Sequence, residues 1–291
     1  MAVKVFHHLQ DLKNWVRETR TAGKSIGLVP TMGALHAGHL SLVEKSLEKT
    51  DRTVVSIFVN PTQFGPQEDF AKYPRTLEKD LAALESVAGD REMVVLAPSA
   101  TEMYPAGFET FIEVGGAAKP LEGSCRPGHF RGVATVVLKL FLLTECDIAF
   151  FGQKDFQQVQ VIRQMVRDLN VPVEIGMCPI VREADGLAMS SRNRYLSPEA
   201  RQQALVLSQS LHQAKQRLRQ GIREVSVLEA EMRKILESHP NHQVDYVAIV
   251  HPETLLPQSE KIVFPVAFLL AVRVDETRLI DNLLVESETE I

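Results

Sequence analysis

The chain lacks the features that mark secreted, membrane-spanning or nucleic-acid-binding proteins. It has three cysteines in 291 residues, Cys125, Cys146 and Cys178, far apart and without a Cys-x-x-Cys pair. An odd, scattered set argues against a disulfide framework and for a reducing compartment. Positive charge is not in excess: 37 Asp and Glu against 32 Lys and Arg leave a net charge of -5. Nothing therefore draws the chain as a whole to nucleic acid or to an anionic membrane. No uninterrupted apolar stretch reaches the ~18 residues of a membrane span. The longest candidate, residues 262–274, contains Pro265 and Arg273 and reads as a buried strand. Residues 1–8 lack the apolar run of a signal peptide, so the expected location is the cytoplasm. There is no internal repeat, no low-complexity tract and no Gly-x-Gly-x-x-Gly, which counts against a dinucleotide enzyme.

What remains is a chain with 45% hydrophobic residues, enough for one large domain or two moderate ones. Short apolar runs at 26–29, 54–59, 93–96, 111–114, 148–151 and 173–177 read as strands. Helical patterns at 44–49, 77–87, 133–143 and 156–169 lie between most of them. Such alternation predicts an α/β domain, a doubly wound, Rossmann-like parallel sheet covered on both faces, over residues 1–180. Ligands of such sheets sit outside the carboxyl ends of the strands, so the loops after Val29, Val59 and Phe151 should meet at one crevice. Past Asp185-Gly186 the pattern changes to charged helical stretches at 198–220 and 226–237, the second ended by Pro240. Strands at 244–250, 261–274 and 277–284 follow, predicting a smaller α+β domain over residues 181–291.

Four segments carry chemistry. The first runs from the strand at 26–29 through Pro30-Thr31-Met32-Gly33 into a helix opening with His36-Ala37-Gly38-His39. Backbone N–H groups at a helix start favour phosphate, and imidazoles three residues apart share one face of the helix. A two-His metal site would need further ligands that nothing nearby supplies, so the metal ligands stay unknown. A helix start that happens to contain histidines is the plainer alternative. The glycine spacing of Gly33 and Gly38 matches a Walker loop, but His39-Leu40 follows where Lys and Ser or Thr belong. The second segment, Asn60-Pro61-Thr62-Gln63, places two amides after a strand, suited to a hydroxyl or carboxylate; an Asn-Pro turn with Gln63 solvated is the alternative. In the third, Gly152-Gln153-Lys154-Asp155 leads into a helix, where Lys154 could neutralise a triphosphate and Gln158 could face the same crevice. Asp155 alone reads as an N-cap. The fourth, Met189-Ser190-Ser191-Arg192, offers hydroxyls and a guanidinium on a loop that could close over a nucleotide, although a solvated interdomain loop has similar composition.

These residues stand in the order of the pantoate:beta-alanine ligase family, within the nucleotidyltransferase superfamily that includes the class I tRNA synthetases, and the chain resembles that family along most of its length. The more specific segments are Asn60-Pro61-Thr62-Gln63-Phe64, Tyr73-Pro74-Arg75-Thr76 and Arg126-Pro127-Gly128-His129-Phe130. The resemblance implies ATP-dependent condensation of pantoate with beta-alanine through a pantoyl adenylate, with Mg2+ as cofactor and a homodimer as the assembly. It implies that Met32, Gly33, His36, Gly38 and His39 hold ATP, with His39 as proton donor. It further implies nucleotide contacts from Gly152, Lys154, Asp155 and the Val181 backbone, and a closing loop of Met189, Ser190, Ser191 and Arg192 with the smaller domain as a lid. Gln63 would contact pantoate and beta-alanine, Gln158 pantoate, and Asn60, Tyr73 and Arg126 would lie behind them. Ala37 and Gln153 depart from commoner family forms at positions without an assigned role.

Two other readings stay open on residues alone. A small-molecule nucleotidyltransferase would use the same histidines, but would want cationic groups where Gln63 stands. A nucleotide-binding regulator without turnover would need none of His36, His39, Lys154 and Arg192, all of which are present.

Overall fold

The computed structural model describes residues 3–66 and 68–291. The chain forms two compact units, one of Gln157–Pro179 and the chain up to Gln153, the other of Lys154–Phe156 and Ile180–Ile291.

The first unit is built on β1 (Lys4–Phe6), β2 (Ile26–Thr31), β3 (Arg52–Ile57), β4 (Met93–Leu96), β5 (Ile148–Gly152) and β6 (Glu174–Cys178). They form one parallel sheet in the order β1-β4-β3-β2-β5-β6. The helices are α1 (Leu9–Thr21), α2 (Ala37–Lys49), α3 (Leu77–Ala88), the short α4 (Ala100–Met103) and α5 (Glu122–Cys125), α6 (His129–Thr144) and α7 (Phe156–Asp168). Alternate residues of each central strand point to opposite faces. Leu28 and Val54 accordingly join a core with Leu12, Trp15, Phe141, Ile162 and Met165 from α1, α6 and α7. Val29 and Val55 join a second core with Val43, Leu47 and Leu84 from α2 and α3. Burial on both faces explains why these strands read as unbroken apolar runs. From β2 the chain moves out through β3 and β4 on one side and from β5 to β6 on the other, so the order reverses between β2 and β5, which is where doubly wound sheets open a crevice.

Several expectations need correction. The run 111–114 is not a strand. Its Ile112 N–H donates to the Thr135 hydroxyl at 2.9 Å and Arg131 stacks on the Phe111 ring at 3.7 Å, so α6 rather than the sheet satisfies it. The sixth strand is instead β1, three residues at the sheet edge paired with β4. The 44–49 pattern is the end of the thirteen-residue α2. The thirteen-residue α1 was not expected at all.

The second unit contains α8 (Pro198–Ala204), α9 (Val206–Arg219), α10 (Val225–Leu236), β7 (His242–Val250), β8 (Val266–Val274) and β9 (Thr277–Val285). The strands form an antiparallel sheet in chain order. Its core joins Phe268, Leu270 and Val272 to Leu207, Leu211, Leu218, Leu228 and Met232. Pro198, at the first helical position, starts α8, and the predicted helix 198–220 breaks at Leu205. Pro265 cannot donate to a ladder, and β8 begins only at Val266 rather than at 261. Among the described residues no helix is long and apolar enough to cross a membrane.

Candidate functional site

The turn between β2 and α2 is held from below. Gly33 and Ala34 both take left-handed backbone angles, φ 81° and 51°. Such a turn exposes consecutive N–H groups. Two of them are spoken for: Ala34 N–H and Leu35 N–H donate to the two carboxylate oxygens of Asp80 at 3.0 and 2.8 Å. Asp80 is buried, 3% exposed, and its Oδ1 also accepts from the Thr76 hydroxyl. Thr31 closes the other side, its hydroxyl donating to the Ser56 carbonyl at 2.7 Å and accepting from Gly33 N–H at 3.1 Å.

This clamp delivers the chain to α2 with His36 as its N-cap. The His36 and His39 rings lie 4.0 Å apart, and His39 Nδ1 accepts from His36 N–H at 3.4 Å. An accepting Nδ1 leaves the ring proton on Nε2, so a neutral His39 offers Nε2–H as its donor. The first-turn N–H groups of Ala37 and Gly38 have no acceptor within the helix geometry. Two half-buried imidazoles and a helix start thus provide donors for an anion at the carboxyl edge of the sheet.

The second group follows β3. Asn60, 1% exposed, donates through Nδ2 to Gln63 Oε1 at 3.0 Å and to the Gly132 carbonyl at 3.2 Å. Gln63 Nε2 reaches Met32 Sδ at 3.2 Å, so the amide pair and the α2 turn meet. Gly132 permits this: a Cβ there would lie 2.3 Å from the Thr62 carbonyl oxygen. His129 Nδ1 donates to the Gln63 carbonyl at 2.9 Å while Arg126 Nη1 donates to His129 Nε2 at 3.1 Å. Burial, and then the adjacent Arg126 guanidinium, push the His129 imidazole down to about 4, which fixes it neutral. Arg126 itself forms a bidentate pair with Glu68 at 2.8 and 2.7 Å. Tyr73 is buried with its ring edge-on to Phe64, 5.9 Å between centroids. Asn60, Tyr73 and Arg126 therefore support Gln63 and its turn. Gln158 is half-buried at the start of α7 beside Gln157, whose amide is consumed by Glu122 N–H and the Ala117 and Pro120 carbonyls. Gly152 ends β5 with open space where a Cβ would stand.

The second unit holds the remaining candidates in two places. Lys154 Nζ lies 3.7 Å from Asp155 Oδ1, and the Lys154 carbonyl accepts from Asn282 Nδ2 at 2.9 Å. Residues 181–193 form a closed loop: the Val181 carbonyl accepts from Met189 N–H at 3.0 Å, Arg182 bridges Ala188, and Gly186 turns the chain at φ 94°. Arg182 pairs with Asp281, and Arg201 with both Glu183 and Asp185. The Arg201 hydrogen bond, against opposing burial, holds Glu183 below the ordinary carboxylate range. Ser190 Oγ accepts from Arg192 N–H at 3.3 Å, which sets the turn that carries Ser191 and Arg192.

Sequence reasoning missed Asp80, Glu68, Tyr104 and the structural weight of His129 and Gly132. Asp80 sits in a helix whose apolar pattern gives no reason to expect a buried carboxylate. His129 was visible only as part of a motif.

A parallel sheet whose β2 leads into a His-x-Gly-His helix start at its switch point defines a doubly wound α/β protein. The pantoate-beta-alanine ligase family matches residues 4–284, and the chain belongs to that family. It is 53% identical over 275 residues to pantothenate synthetase from Moorella thermoacetica, covering 94% of this chain and 96% of that one. It superimposes on pantothenate synthetase from Thermus thermophilus with a TM-score of 0.92 at 46% identity, covering 98% and 100% of the two chains. The pantoate-beta-alanine ligase of Francisella tularensis, solved with beta-gamma ATP and beta-alanine, matches at TM-score 0.78 and 32% identity over 97% and 98%.

Proposed function

We propose that this protein condenses pantoate with beta-alanine at the expense of ATP, through a pantoyl adenylate. The observation that carries the reading is the His36–His39 pair at the start of α2, with Gln63 against Met32, inside a chain matched by the ligase family over residues 4–284. A pantoate carboxylate oxygen attacks the α-phosphorus of ATP and pyrophosphate leaves; the amine of beta-alanine then attacks the acyl carbon and AMP leaves with the bonding electrons. The first transition state gathers negative charge on phosphate oxygens, which fixed donors stabilise without reorganising. His36, His39 and the α2 N–H groups are such donors, with His39 Nε2–H as the proton source. Met32, Gly33 and Gly38 hold the nucleotide at the turn and helix start, and Gly152, with open space where a Cβ would stand, allows its close approach. Lys154, Asp155, Val181 and the turn Met189-Ser190-Ser191-Arg192 are the further nucleotide contacts that the family resemblance implies. Gln63 and Gln158 hold pantoate, and Gln63 lies next to beta-alanine.

Among the described residues no three His, Cys, Asp or Glu side chains are grouped to hold a metal ion. The donors that are present are phosphate donors, so Mg2+ fits as part of the MgATP substrate, where it neutralises phosphate charge. The three free cysteines suit a reducing cytoplasm. A homodimer follows from the family resemblance and is checked by sedimentation.

Incubation with MgATP and D-pantoate, with and without beta-alanine, tests the reading by mass spectrometry. Pantothenate and AMP in equal amounts only when all three substrates are present supports it; ATP turnover indifferent to pantoate overturns it. Arg192→Ala should raise KM for ATP more than for pantoate; an unchanged KM for ATP and unchanged turnover together would remove Arg192 from the nucleotide contacts.

A further inference from the structure

Two adjacent side chains of β9, Asp281 and Asn282, are buried although both are polar. Burial of such groups costs free energy unless each is bonded. Both Asp281 oxygens are taken: Oδ1 accepts from Arg182 Nη2 at 2.9 Å and from Asn282 N–H at 2.8 Å, and Oδ2 accepts from Arg182 Nη1 at 2.6 Å. Arg182 Nη1 donates in turn to the Gly186 carbonyl at 3.1 Å, and Arg182 bridges Ala188, where the chain enters Met189. Successive strand side chains leave opposite faces of a sheet, and Asn282 Nδ2 donates to the Lys154 carbonyl at 2.9 Å. That carbonyl can only accept, so it fixes which end of the Asn282 amide faces it. The partners of this dipeptide thus belong to the two segments proposed above to bind the nucleotide from residues 154 and 189–192. They stand 128 and 99 residues away from it in the chain.

We infer that Asp281 and Asn282 are a positioning pair that ties Lys154 and the Ser190-Ser191-Arg192 turn to one strand, so that an ammonium and a guanidinium are offered to the triphosphate as a pre-set pair. The inference rests on Lys154 and Arg192 as nucleotide contacts and adds what holds them in register. A bidentate ion pair on a buried carboxylate, and a buried amide aimed at backbone, have partners that do not rotate away. Cations carried by segments held in this way lose less freedom when a polyphosphate arrives. The gain belongs to the nucleotide and not to the acid.

The test titrates MgATP calorimetrically for its Kd and follows pantoate-dependent pyrophosphate release for KM of D-pantoate. The proteins are Asn282→Ala and Asp281→Asn, each alone and combined with Lys154→Ala or Arg192→Ala. Asn282→Ala should raise Kd for MgATP by on the order of tenfold with KM for pantoate unchanged, and should add less than about twofold once Lys154 is replaced. Asp281→Asn removes the charge that holds Arg182. Its effect on MgATP should vanish in the Arg192→Ala background and persist in the Lys154→Ala one. A merely structural role would weaken ATP and pantoate alike and act equally in every background. Such uniform losses, or an unchanged Kd for MgATP in Asn282→Ala, would overturn the inference. Should Asp281→Asn fail to fold, seen as a lost thermal transition, the Asn282→Ala cycle decides alone. A wild type without any pantoate-dependent pyrophosphate release would instead overturn the ligase reading on which the inference stands.

Discussion

The two units hold their candidate groups by different physics. In the first, the Asp80 carboxylate and the Asn60 amide are 3% and 1% exposed and bond mainly to backbone. Their partners cannot rotate away, and the low local dielectric strengthens each bond. In the second, Arg182 pairs with the buried Asp281 at the base of the loop 181–193, and the loop itself is tied by Arg201 to Glu183 and Asp185, side chains 28–29% exposed. Such pairs are weaker and screened by salt. On the proposed function this is a division of labour: the turns proposed to face the transition state are pre-set by buried backbone bonds, and the loop proposed to close on the nucleotide is held by bonds that exchange with water.

Four experiments sharpen or break this contrast, in descending order of expected effect. His39→Ala should slow pantoate-dependent pyrophosphate release by on the order of 10²-fold or more, since it removes a transition-state donor from the pre-set side. Near-wild-type release would break the assignment. The next concerns stability. His129 has a folded pKa of about 4 against 6.5 unfolded, so the unfolded chain takes up its proton first as pH falls. Stability contributed by the neutral ring is complete above 6.5 and is lost toward 4, by about 3 kcal/mol in all. Urea unfolding across that window should show the loss in the wild type and a flatter profile in His129→Asn, which keeps a donor near the Nδ1 position.

Gly132→Ala should cost roughly 1–3 kcal/mol, because its Cβ must displace backbone rather than a mobile side chain. It should also raise KM for pantoate by parting Asn60 from its carbonyl acceptor; wild-type stability and KM would show that the close approach is dispensable. The smallest effect belongs to Arg201→Met. Loss of an exposed pair network should cost up to about 1 kcal/mol, and 1 M salt should erase most of the difference from wild type. A larger, salt-independent cost would place this loop with the rigid side of the comparison.

The sequence showed the parallel sheet because strands buried on both faces leave apolar runs that no surface pattern interrupts, as in β2, β3 and β4. It misread 111–114, whose aromatic and β-branched residues pack on α6 through Thr135 and Arg131 instead of pairing. It passed over β1 because three residues carry too little periodicity. At the site, His36, His39, Gln63 and Lys154 were legible as types at strand ends. Asp80 was not, because its partners Ala34 and Leu35 are 46 and 45 residues away and its own helix reads as an ordinary amphipathic one. The role of His129 was hidden likewise: only the distance to Gln63, 66 residues earlier, reveals it.

The most direct test of the adenylate at the centre of this account is isotope exchange between pyrophosphate and ATP in the absence of beta-alanine. The account predicts exchange that requires pantoate and is abolished in His39→Ala. Exchange independent of pantoate, or none until beta-alanine is added, would contradict an adenylate formed on these residues.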